Sequence, residues 1–149
     1  FYNLIPSCSV CNSSIKGDAD FSLNKHVHPY LELKNQNFSF NYIQKDVHKN
    51  NVDIKVNRRS KIANTLKEFK IKEVYNAHSE FELKDLLELK YKYSENYINT
   101  LFNNTFKLDV GKDEAYRMIF GAEPNKNDFH KRPFSKFKRD ILNELLKRK

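Results

Sequence analysis

The sequence predicts an α+β chain, a small antiparallel hairpin followed by a mainly helical extension, on three observations. Apolar and polar residues alternate over Asn37–Ile43 and again over Val52–Val56, the two-residue period of half-buried strands. From Ser60 onward the apolar spacing lengthens to three and four, the period of amphipathic helices. The 149 residues include 12 Phe and 8 Tyr, bulky side chains that supply a core in a chain only 39% hydrophobic.

In the hairpin, Phe38, Phe40 and Tyr42 fall on one side of the first strand, and the turn-rich residues 46–51 lead into the second. Aromatics on an open sheet can stack on bases, but their alternation with polar residues assigns these to the core. Ser60 is placed to cap a helix carrying Ile62, Leu66 and Phe69, with Ile71, Val74 and Tyr75 following. Ser79 is placed as a second N-cap, with Glu82 completing a capping box. The helix it opens runs from about Glu80 to Asn103, and its apolar residues fill more than one stripe, so it is expected at the centre of the extension. A short helix follows over Asp113–Phe120, between Gly111 and Gly121, and Ala122–Asp128 reads as a loop. The last helix, from about Phe134 or Ser135 to Leu146, is expected to bury Phe137, Ile141, Leu142 and Leu145 and to turn Lys136, Arg139 and Lys147 away.

The net charge of +8 is concentrated at the C-terminus. From His130 to Lys149 there are eight basic residues against Asp140 and Glu144. Such a run either binds polyanions in a salt-sensitive way or forms a solvated helix face. Lys16, Lys131, Arg132, Lys136, Arg139, Lys147 and Arg148 are the candidate nucleic-acid contacts. No apolar run reaches the roughly 18 residues that span a bilayer, two cysteines make no secreted disulfide framework, and a reducing cytoplasm is the expected setting. With three Gly there is no phosphate-cradling loop, and no Ser-His-Asp or paired-carboxylate constellation can be argued from scattered residues.

The first seventeen residues carry the chemistry. Cys8 and Cys11 form a C-x-x-C pair, able to place two sulfurs on one zinc at about 2.3 Å, where a structural site wants four ligands. A redox dithiol and ordinary packing are the other readings of the pair. Asn12 and Lys16 stand at i and i+4, one face of a short helix that Gly17 would end. Asp18 and Asp20 read as surface turn residues, His26 and His28 as part of a packed His-Pro-Tyr corner, and His78 has no assigned role.

Together, Asn3-Leu4, Cys8-x-x-Cys11, Asn12 and Lys16-Gly17 resemble the second half of the HNH endonuclease motif, the zinc-stapled form of the ββα-metal fold. The resemblance implies a partial ββα-metal module over residues 1–33, with the hairpin and helical extension over residues 34–149. It implies that Asn3 braces the loop holding the general-base His and that Asn12 faces a catalytic Mg or Mn ion, as in an H-N-N variant. Cys8 and Cys11 would hold half of a structural zinc, whose two further ligands come from outside this segment. The family's Asp-His pair and its other C-x-x-C would precede Phe1, so the chain is expected to be the C-terminal part of a metal-dependent DNA endonuclease, inactive as a fragment. Beyond residue 17 it looks more loosely like the C-terminal extensions of some bacterial defence-associated HNH proteins. The alternatives are a non-catalytic nucleic-acid-binding or protein-interaction module with a zinc knuckle, or a nuclease-derived subunit licensed by a partner such as an ATPase.

Overall fold

The computed structural model describes residues 8–28, 30–31, 37–46, 49–92, 95–100 and 112–147. It is α+β, with one two-stranded antiparallel sheet and several helices. The chain divides into two compact units, Phe1–Ser39 with Ile54–Ala77, and Phe40–Asp53 with His78–Lys149. Strands β1 (Phe38–Asp46) and β2 (Lys49–Val56) form the hairpin, each reaching further toward the turn than the alternation alone indicates.

In the first unit a wide helical turn, Val10–Lys16, ends at Gly17, whose φ of 49° suits a residue without a Cβ. Helix α1 (Lys61–Glu68) is capped as expected: the Ser60 hydroxyl accepts the Ala63 amide at 3.4 Å and donates to the Asn57 carbonyl at 2.6 Å. Lys70, at φ 49°, separates α1 from α2 (Ile71–Ala77). Among the described residues of this unit His26 is the one buried side chain. Its ring lies 4.4 Å from Phe21, which in turn lies 4.8 Å from Phe69.

The second unit holds the apolar core: Phe40, Val52, Leu83, Leu86, Phe120, Ala122, Phe137, Ile141, Leu142 and Leu145. A wide turn over Ser79–Leu83 leads into α3 (Lys84–Lys92), then α4 (Glu95–Thr100), α5 (Lys112–Phe120), a tight 3₁₀ turn (Lys126–Lys131) and α6 (Ser135–Lys147). Helix α6 buries the four apolar residues expected of it, packs against α3, and sets Phe137 edge-on to Phe40 with centroids 5.4 Å apart. Phe134 enters α6 at φ 58°, an unusual conformation for a bulky residue, and packs its ring on His78 at 5.2 Å.

Two sequence expectations are corrected. Ser79 is not a cap: His78 stands at that position, and Ser79 is buried within the first turn. A capping box is worth about 1 kcal/mol, whereas burying a leucine contributes about 1.5–3 kcal/mol, so bringing Leu83 and Leu86 inside decides the register. Ala122–Asp128 is only partly a loop, since Ala122 and Glu123 are buried and the 3₁₀ turn begins within it. The Glu123 carboxylate lies 3.5 Å from Arg117 and 3.4 Å from Arg132, and its amide donates to Ser135 Oγ at 3.1 Å. A buried carboxylate needs such partners, and they hold this segment in.

Candidate metal centre and the helix that carries it

Both thiols are free, Cys8 exposed and Cys11 half-buried at the head of the wide helical turn. The Cys11 amide donates to Cys8 Sγ at 3.3 Å, and the Asn12 amide donates to the Cys8 carbonyl at 2.9 Å. The Cys11 amide, followed by the Cys11 thiol, holds the Cys8 thiol below its ordinary range, while sharing its proton with Cys8 pushes Cys11 up. Two such sulfurs fit half a zinc site in donor chemistry. Among the described residues no group of three or more His, Cys, Asp or Glu side chains is placed to hold a metal ion.

Asn12 is exposed, free to present its carboxamide outward. Lys16 is half-buried, with its ammonium 5.8 Å from the centre of the Phe21 ring. Asn3, Arg148 and the side chain of Lys147 lie outside the described residues.

Helix α1 holds the segment that follows the motif. Lys61 Nζ donates to the Leu23 carbonyl, Asn64 Nδ2 donates to the Lys25 carbonyl at 3.1 Å, and Thr65 Oγ1 accepts the Val27 amide at 3.1 Å. The match is geometric. The segment is a turn, in which the Lys25 and His26 amides both donate to the Ser22 carbonyl at 3.0 Å, and side chains at i, i+3 and i+4 on one face of α1 reach three of its backbone groups. Thr65 Oγ1 also donates to the Lys61 carbonyl at 3.1 Å and lies 3.4 Å from His26 Nδ1. His28 Nδ1 accepts the Tyr30 amide at 3.3 Å and the two rings lie 5.6 Å apart, but Tyr30 is exposed rather than packed, and Pro29 of the expected corner lies outside the described residues. Asp20 pairs with Lys25 at 3.7 Å on the surface. The polar spacing of Lys61, Asn64 and Thr65 was visible in the sequence, but nothing local pointed it at residues 23–27.

Comparison with protein-family models, with curated proteins and with solved structures finds no match.

Among the described residues, five cations between Lys131 and Arg139 are engaged within the fold. Lys131 pairs with Asp128 at 2.8 Å, and that contact holds the Asp128 carboxyl below the usual carboxylate range. Arg132 pairs with Glu123, Lys136 with Asp140 at 2.8 Å, and Lys138 with Glu82 at 2.9 Å. Arg139 lies over the Phe129 ring at 5.5 Å. No helix among the described residues is long and apolar enough to cross a membrane.

Proposed function

We propose that this chain is the C-terminal part of an HNH-type, metal-dependent endonuclease that hydrolyses DNA phosphodiester bonds, in a reducing cytoplasm. The observation that carries the reading is an exposed Asn12 carboxamide directly after two free thiols, on a short helical turn closed by Gly17. Cys8 and Cys11 supply two of four zinc ligands. Asn12 offers a hard oxygen to a Mg or Mn ion, and Asn3 braces the loop of the base His that the motif requires upstream. When bound, that ion stabilises the charge developing on the scissile phosphate. The chain's own part is positional: α1 anchors residues 23–27, and through Phe21 it steadies the turn that carries Asn12 and Lys16.

The test is nicking of supercoiled DNA by the protein with its natural upstream residues, in Mg or Mn. Asn12→Ala is expected to lower the rate on the order of a hundredfold, as the loss of a ligand or its support does, and Cys8→Ser with Cys11→Ser to release bound zinc. Nicking that survives Asn12→Ala would overturn the reading. DNA binding with no metal-dependent nicking would leave the non-catalytic module.

A further inference from the structure

We infer that the DNA-contacting surface of this protein is centred on Arg58 and Arg59, at the turn between β2 and α1, rather than on the basic C-terminal helix. This rests on the DNA-processing reading above and names where the polyanion binds. A cation contributes to polyanion binding by releasing a counterion as it neutralises a phosphate, and a cation already paired with a carboxylate has less to offer. Lys131, Arg132, Lys136 and Lys138 are each paired within the fold. Arg58 and Arg59 are exposed, and neither guanidinium has an ion pair or hydrogen bond among the described residues.

Their surroundings add to the charge. Residues Ile54–Ala77 carry seven basic against two acidic residues, a net of +5 in one continuous stretch. The first turn of α1 contains no acidic side chain. Neighbouring Lys55 is exposed as well. The backbone under the two arginines is held: the Arg59 amide donates to Asn57 Oδ1 at 3.1 Å and the Ser60 amide to the Asn57 carbonyl at 2.9 Å. Arginine presents a planar, five-donor fork suited to phosphate oxygens.

The placement fits the candidate chemistry. Arg58 and Arg59 belong to the same compact unit as Cys8, Cys11 and Asn12. They immediately precede the helix on which residues 21–27 dock through Lys61, Asn64, Thr65 and Phe69. That helix, at eight residues, is about 12 Å long, and the motif turn is linked to its far end through Lys16, Phe21 and Phe69. The contact is to backbone phosphate and carries no sequence preference.

The experiment is fluorescence anisotropy of the intact protein on a short DNA duplex of arbitrary sequence, across a range of NaCl concentrations. R58A/R59A is expected to flatten the slope of log affinity against log salt by about 2, roughly one per arginine. R58K/R59K keeps the slope, and K131A/K136A leaves it unchanged. Because neither guanidinium holds the fold, the thermal midpoint of R58A/R59A stays at the parent value. An unchanged slope in R58A/R59A, or an equal loss in K131A/K136A, overturns the proposal. So does failure of the parent protein to bind duplex, which would assign the arginines to an acidic protein segment instead. Binding is read separately from nicking, so a protein that loses its slope in R58A/R59A yet never nicks DNA sinks the nuclease reading and spares this one.

Discussion

Asp140 Oδ2 accepts the backbone amide of Phe40 at 3.0 Å, across a hundred residues of chain. One helical turn on, Glu144 Oε2 accepts the amide of Tyr42 at 3.2 Å. Amides two residues apart on one side of β1 thus meet carboxylates four apart on α6. In a two-stranded sheet these N–H groups belong to an open edge, and an uncovered edge invites pairing with another chain. The carboxylates stand where a third strand would.

Asp140→Ala removes an acceptor from the Phe40 edge amide and one partner from Lys136. A part-buried donor left unpaired costs about 1–3 kcal/mol, so chemical denaturation should show a loss in that range. Adding Glu144→Ala should increase the loss and raise the tendency to self-associate, read by sedimentation. An Asp140→Ala protein as stable as the parent would show that water serves the amide equally well.

Thr65→Val keeps the shape and removes the hydroxyl that receives the Val27 amide and faces His26. The expected cost is about 1–3 kcal/mol, confined to the first unit. Hydrogen exchange is the measurement: protection of the Val27 amide should fall while amides in α6 keep theirs.

Arg117 has two acidic partners of unlike value, exposed Glu114 at 2.6 Å and buried Glu123 at 3.5 Å. Removing the exposed partner by Glu114→Ala should cost less than about 1 kcal/mol. Arg117→Ala leaves a buried carboxylate with Arg132 alone, and should cost about 1–3 kcal/mol. The longer contact therefore outweighs the shorter one, and urea midpoints for the two variants would reveal the order.

Burial pushes the Tyr116 hydroxyl up to about 12, with Asp140 reinforcing and Arg139 opposing the shift. The folded protein holds this proton above pH 10, where the unfolded chain releases it. Its contribution to stability is therefore complete below about pH 10 and is lost as pH rises from there through about 12. Tyr116→Phe should reduce the fall in thermal midpoint over that window. An unaltered alkaline profile in the variant would place the loss elsewhere, for instance at Tyr75, which burial also raises.

Asn41 marks a limit of strand alternation as a guide. It lies on the side of β1 that the alternating pattern assigns to solvent, yet it is buried and its Oδ1 has no hydrogen-bond partner among the described residues. Phe38 and Tyr42, assigned to the core, are half-buried, and only Phe40 of the three is fully inside. A period of two states which residues share a face and is silent on what covers either face.

The sequence by itself determined those features whose causes lie within about one turn of the chain. Alternation set the hairpin, Ser60 set the start of α1, Gly17 and Gly121 set helix ends, and the Phe137-Ile141-Leu142-Leu145 stripe set the buried side of α6. It also brought Cys8, Cys11 and Asn12 together, because their spacing is itself the motif. Tertiary structure alone decided which charges remain available. A count of charges shows eight basic residues near the C-terminus, whereas Lys138 meets Glu82 and Arg132 meets Glu123 only in the folded chain. The physical reason is range: a cap or a stripe is a local competition worth about 1 kcal/mol, whereas pairing a cation with a distant carboxylate depends on where packing brings the two.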